Sequence, residues 1–127
     1  MKIREALSYD DVLLEPQYSD IESRTEIDIS SALDNKRSLE LPVIASPMDT
    51  ISGLAMGVAM AKNGAMAIIH RYNTVAEQGR IITSICEAEP RAVVAAAVGV
   101  TGDFLQRAQI AHKLGAKVIC VDVAIMS

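Results

Sequence analysis

Leu41-Pro42-Val43-Ile44-Ala45-Ser46-Pro47-Met48-Asp49-Thr50 is the stretch on which the reading of this chain turns. A short apolar, β-branched run stops in a Ser-Pro-Met-Asp-Thr turn, and a Gly/Ala/Met-rich helical pattern follows from about Ser52 to Lys62, so the order reads strand, turn, helix. In α/β folds, ligands collect at the carboxyl ends of the strands, which makes Ser46 to Thr50 the first candidate binding segment. The same residues have a structural reading. Pro42 and Pro47 bracket a buried strand, and Asp49, Thr50 or Ser52 caps the helix. Spacing alone leaves both open.

Beyond this stretch the chain keeps a regular beat. Strand patterns at Val43 to Ser46, Ala65 to His70, Val93 to Val98 and Lys117 to Asp122 alternate with helical patterns near 52–63, 74–87 and 103–114, as βα units on a parallel sheet do. Asn63-Gly64 and Gly115 supply left-handed helix stops, Thr74 with Glu77 forms a capping box, and Asp103 is placed to accept from the first amides of the third helix. Phe104, Leu105, Ala108, Ala111 and Leu114 fall on one apolar face of that helix. Residues 1–40 are polar and irregular, with a weak alternation at Ile27-Asp28-Ile29 and a turn at Asp34-Asn35-Lys36-Arg37, and read as an extension laid on the body formed by 41–127. Four such strands suit half of a closed barrel or half of an open doubly wound sheet.

The chain has 127 residues, is 50% hydrophobic and carries a formal charge of -4. That is enough for one small domain with a core, and the mild acidity gives no reason to expect nucleic acid or a membrane surface as partner. No run approaches the roughly 18 consecutive apolar residues of a membrane span, and no signal-peptide pattern opens the chain, so a cytoplasmic protein is expected. The two cysteines, Cys86 and Cys120, lie far apart in apolar segments without metal-ligand spacing and read as buried thiols. No metal site is expected.

Three segments carry a family likeness. Tyr9-Asp10-Asp11-Val12-Leu13-Leu14-Glu15-Pro16, then Ser46-Pro47-Met48-Asp49-Thr50, then Ile68-Ile69-His70-Arg71, in that order and spacing, resemble the opening of the IMP dehydrogenase/GMP reductase family. The resemblance implies an α/β fold of the (β/α)8 TIM-barrel type. A barrel of eight strands runs to about 250 residues, so 41–127 are expected to hold its first four strands. It also implies a purine nucleotide oxidoreductase, acting at C2 of a 6-oxopurine nucleotide with NAD or NADP.

Carried onto this sequence, the resemblance puts Ser46 and Met48 against the bound nucleotide, the first as a hydroxyl partner and the second as a soft surface under the base. Asp49 is an orienting residue or a helix cap. Asp122, at the end of the fourth strand, matches the aspartate that takes the ribose hydroxyls of the nicotinamide cofactor, a position that reads as functional by itself in a barrel. Gly99 and Thr101, in Gly99-Val100-Thr101-Gly102-Asp103, fall near the cofactor's adenosine end by resemblance; on spacing alone they make a tight βα turn. His70 and Arg71 line the site. Here the chain departs from the pattern: Ile125-Met126-Ser127 stand where the family has a polar, Gly-containing segment.

No catalytic residue is expected within these 127 residues. The family's nucleophilic cysteine sits on a Gly-rich loop beyond the fourth strand, and neither Cys86 nor Cys120 matches it. The spelling of the first two segments leans slightly towards IMP dehydrogenase, which converts IMP to XMP. The short passage from Ile85 to Val93 leaves no room for inserted regulatory CBS modules, which suits GMP reductase or a CBS-free dehydrogenase. A homotetramer is expected by resemblance. An alternative of another class is a non-catalytic half barrel that pairs with a second chain, because open strand edges invite pairing and make an isolated monomer unstable.

Overall fold

A computed structural model describes residues 4–124. In chain order it contains a two-stranded hairpin of β1 (Ser31–Ala32) and β2 (Ser38–Leu39), then β3 (Ile44–Ala45), α1 (Leu54–Lys62), β4 (Met66–Ile69), α2 (Val75–Ala88), β5 (Ala95–Val98), α3 (Phe104–Lys113) and β6 (Val118–Val121). The last four strands form one parallel sheet in the order β3-β4-β5-β6, with Ile44 opposite Met66, Ile68 opposite Ala95, and Ala95 opposite Val118. Each neighbouring pair is joined through a helix, the connection that parallel strands require. Strand and helix order follow the sequence beat, with the strands shorter than their apolar runs.

The turns explain why the beat is so regular. Gly64 and Gly115 hold φ of 68° and 118°, a region that a side chain disfavours, and each closes a helix before the next strand. Thr74 Oγ1 accepts from the Glu77 N–H at 3.1 Å and starts α2.

Strand alternation then sorts the core into two faces. Ala67, Ile69, Val94 and Ala96 pack with Ile82, Ile85, Ala111 and Ala116 from the helical side. Met66 and Ala95 pack the other way with Leu39, and with Leu33, Ile68, Val93 and Val118 around them. Met66, Ala95 and Val118 are the first residues of β4, β5 and β6, so the hairpin covers the amino ends of the strands. The carboxyl ends remain open.

Three sequence expectations change. Asp103 precedes α3, but its carboxylate makes no cap bond and instead takes the side chain of Arg107. The apolar face of α3 is only partly used: Phe104, Leu105 and Leu114 are exposed, while Arg107 and Ala111 are buried. The hydrogen-bonded guanidinium of Arg107, a position outside the expected apolar face, takes up part of the buried side of the helix. Helix α1 is capped by Gly53, not by Asp49, Thr50 or Ser52, because the buried Ser52 hydroxyl donates to the Ser46 carbonyl and is unavailable as a cap.

The extension behaves as two parts. Residues 31–39 dock as the hairpin, whereas Tyr9, Leu13, Leu14 and Tyr18 are almost wholly exposed. Asp11 accepts from both the N–H and the hydroxyl of Ser8, which holds its carboxyl below the usual range and closes a single 3₁₀ turn at Tyr9–Asp11. Ile125-Met126-Ser127 lie outside the described residues.

Candidate functional site

The turn after β3 is built from short local bonds. The Met48 N–H donates to Ser46 O at 2.8 Å, and Met48 O accepts from the N–H groups of Ile51 and Ser52 at 3.0 and 2.9 Å. Pro47 fixes one backbone angle inside this loop. The His70 N–H reaches Ser52 O at 3.4 Å, so the far end of the turn is tied to the residue that follows β4. Met48 and Asp49 are left exposed.

A cavity of about 450 Å³ opens at this edge, lined by Pro47, Met48, Asp49, Tyr72 and Asp122. The residues come from three places: the loop after β3, the loop after β4 and the end of β6. Asp122 is held there on both sides of its backbone. Its N–H donates to Val98 O at 2.9 Å, continuing the ladder with β5, and its carbonyl accepts from Arg71 Nε at 3.0 Å. The Asp122 carboxylate stands 3.6 Å from the same Nε, with about a third of its side chain exposed. Arg71 also lies 5.2 Å from the centre of the Tyr72 ring, a cation–π distance. A partly exposed carboxylate at a cavity edge has free lone pairs with which to accept from hydroxyl groups of a ligand.

The other residues singled out by the sequence divide. His70 is buried, and its Nδ1 has no hydrogen-bond partner among the described residues. Ser46 is exposed at the start of the turn but does not line the cavity wall; its carbonyl accepts from Ser52. Gly99 lies under Arg71, where a Cβ would come within 3.5 Å of Nη1. Thr101 is exposed in the turn that ends at Gly102, whose φ is 66°, and it is not a cavity residue. The turn is the tight βα connection that spacing allowed.

Both thiols are set against nucleophilic work. Burial pushes Cys86 up, with Lys117 only partly offsetting it, and burial together with Asp122 pushes Cys120 up. A nucleophilic cysteine needs the opposite shift. Among the described residues no group of three or more His, Cys, Asp or Glu side chains is gathered to hold a metal, and no helix is long and apolar enough to cross a membrane.

Residues 6–126 match the IMP dehydrogenase / GMP reductase domain, nearly the whole chain. The chain belongs to the IMP dehydrogenase/GMP reductase family. Inosine-5'-monophosphate dehydrogenase of Nitrosopumilus maritimus is 40% identical over 85 residues, covering 67% of this chain and 18% of that protein. The Aquifex aeolicus protein of the same name is 33% identical over 93 residues, covering 73% of this chain and 19% of its own. GMP reductase of Leishmania donovani is 38% identical over 85 residues, covering 67% of this chain and 17% of its own. The chain thus spans under a fifth of the length of these relatives, and both members of the family are represented among them.

Family membership makes the cavity at the carboxyl edge the candidate site, ahead of a larger groove of about 630 Å³ on the helical side. That groove is lined mainly by α2, with Leu54 and Leu114, and contains none of the candidate residues. Sequence reasoning did not single out Tyr72, Asn73, Gln78 or Arg107. Tyr72 follows His70-Arg71 directly, and adjacency was its one signal. Gln78 and Arg107 are polar residues on amphipathic helices, and nothing in their spacing distinguishes a buried polar side chain from a solvated one.

Proposed function

We propose that the protein containing this chain is a purine nucleotide oxidoreductase, acting at C2 of a 6-oxopurine nucleotide with NAD or NADP as cofactor. The observation that carries the reading is the convergence of Met48 and Asp49 with Asp122 on one cavity at the open end of a parallel sheet. Ser46 and Met48 hold the nucleotide, the hydroxyl as a hydrogen-bond partner and the thioether against the base. Asp49 orients the loop edge. Asp122 accepts from the cofactor's ribose hydroxyls, with Arg71 beneath it, while Gly99 and Thr101 lie towards the adenosine end. His70 lines the site from behind the turn.

The residues present fit a nicotinamide cofactor, since Asp122 presents a partly exposed carboxylate to the cavity. Bound there, the nicotinamide supplies hydride exchange with the purine carbon. Attack at that carbon needs a thiolate, and neither Cys86 nor Cys120 is poised for it. The nucleophile therefore belongs to sequence other than these residues.

The four-stranded sheet has two open edges, at β3 and β6, with Val43, Ile44, Ile119 and Val121 exposed along them. A (β/α)8 barrel supplies partners to both, and a homotetrameric, cytoplasmic enzyme is the assembly that accords with the resemblance. IMP dehydrogenase is the reading favoured by the wording of the Ser46–Thr50 turn. GMP reductase is the second, in keeping with the Leishmania relative and with the short passage between α2 and β5, which suits a CBS-free dehydrogenase equally.

Titration calorimetry with IMP, XMP and GMP tests the site. Binding of one of them to the full-length protein, weakened about tenfold or more by Ser46→Ala, supports the reading, a tenfold change being about 1.4 kcal/mol. Failure of all three to bind overturns it.

A further inference from the structure

The strongest organisation outside the cavity lies directly behind it. Arg107 on α3 is 5% exposed, and its planar head directs bonds in every direction: Nη2 to Asn73 O at 2.8 Å and to Asp103 Oδ2 at 3.0 Å, Nη1 to Asn73 Oδ1 at 3.1 Å and to Gln78 Oε1 at 3.4 Å, Nε to Asp103 Oδ1 at 3.4 Å. Gln78 on α2 is 1% exposed, and its Nε2 reaches Ile69 O, His70 O and Ala97 O at 3.2, 3.1 and 2.9 Å. Two amide hydrogens serve three carbonyls, so one is shared.

These carbonyls belong to the last residue of β4, the penultimate residue of β5 and the loop that carries Arg71 and Tyr72. Helix interiors seldom bury a charged residue, and here the single carboxylate partner, Asp103, is half exposed. Four of these bonds go to the segment 69–73, at Ile69 O, His70 O and both oxygens of Asn73; the remaining partners are Ala97 O, Asp103 and the Arg107–Gln78 bond itself.

We infer that Arg107 and Gln78 are positioning residues for the site. They fix the loop 70–73 from behind, so that Arg71 reaches Asp122 and Tyr72 reaches the cavity. Neither touches the cavity itself. The inference rests on the proposed oxidoreductase reading for its ligands, but the loop it names is defined without them. Lysine preserves the charge of Arg107 and loses the planar fork, so Arg107→Lys isolates the geometry.

The test is made on the intact protein. Amide hydrogen exchange in Arg107→Lys is expected to speed up about tenfold at 70–73 while 54–62 in α1 keep the wild-type rate, the mark of local opening. The dissociation constant for the nicotinamide dinucleotide rises about tenfold and that for the purine nucleotide changes less than about twofold, and in an Arg71→Met background the further effect of Arg107→Lys on the dinucleotide falls below about twofold, as coupled residues behave. A merely structural role moves both ligands and all segments together. Unchanged exchange at 70–73, uniform acceleration along the chain, or additive effects of the two substitutions overturns the inference. If Arg107→Lys does not fold, Asn73→Ala serves, because it keeps the Arg107 bond to the main chain; it must then accelerate 70–73 selectively. If the wild type binds neither ligand, the oxidoreductase reading fails, and the exchange measurement alone decides whether Arg107 and Gln78 hold the loop.

Discussion

Arg71 donates from Nε to the main-chain carbonyl of Asp122 across 3.0 Å, joining residues 51 positions apart in the sequence. The bond crosses from the loop after β4 to the end of β6, passing over Gly99 at the end of β5. An ion pair alone, about a third exposed on each side, contributes at most about 1 kcal/mol. The carbonyl bond gives the pair its fixed geometry. Arg71→Met is expected to weaken dinucleotide binding about tenfold and to lower stability by about 1 kcal/mol, the net value of one such bond. Calorimetric titration together with urea unfolding checks both.

Gly57 and Gly53 sit at the interior and start of α1, and the same kind of change has opposite signs at the two. A Cβ at Gly57 collides with Ile85 Cδ1 and comes 3.3 Å from Ile69 Cδ1, in the middle of the core. Overpacking of this kind costs about 1–3 kcal/mol, more than the roughly 1 kcal/mol that alanine gains over glycine in a helix. Gly57→Ala therefore lowers the melting temperature by several degrees. Gly53 is the N-cap with nothing within 4 Å of a Cβ, so Gly53→Ser is neutral or stabilising by a few tenths of a kcal/mol. Thermal unfolding followed by circular dichroism separates them.

Thr74→Ala removes the acceptor for the Glu77 N–H at the start of α2. The expected loss is about 1 kcal/mol, and it should appear as a lower urea midpoint with an unchanged slope.

Cys86 gives a pH test with a definite sign. Burial favours its neutral thiol, so the folded pKa lies above that of the unfolded chain. Its contribution to stability is complete below the unfolded thiol's pKa of about 8.5 and is lost as pH rises from there through the raised folded value. Iodoacetamide labelling of the folded protein is accordingly slow near neutrality and overtakes only at more alkaline pH than for the unfolded chain. Cys86 and Cys120 are half-buried, not fully buried as their apolar segments suggested, and labelling of Cys86 at pH 7 as fast as in the unfolded chain contradicts the raised pKa.

The order of strands and helices was legible because each boundary is written locally: Asn63-Gly64, Thr74 with Glu77, and Gly115 mark their ends without help from the rest of the chain. Ser46-Pro47-Met48-Asp49-Thr50 pointed to the open end of the sheet for the same reason. The buried pair Gln78 and Arg107 was illegible, since its partners are main-chain carbonyls of Ile69, His70, Ala97 and Asn73, which sequence does not mark. Asp103 was misread as a cap because the competing partner four residues on becomes visible only when α3 packs on α2. Tyr72 needed the registers of β4 on β5 and of β5 on β6 to bring it to the same cavity as Asp122.

Turnover by the full-length natural protein tests the account most directly. IMP with NAD and GMP with NADPH are supplied separately, and reduced nicotinamide is followed by its absorbance. The account predicts turnover with one pair, falling at least about a hundredfold in Asp122→Ala, equivalent to about 2.7 kcal/mol of transition-state binding. Turnover with neither pair, or full activity in Asp122→Ala, contradicts it.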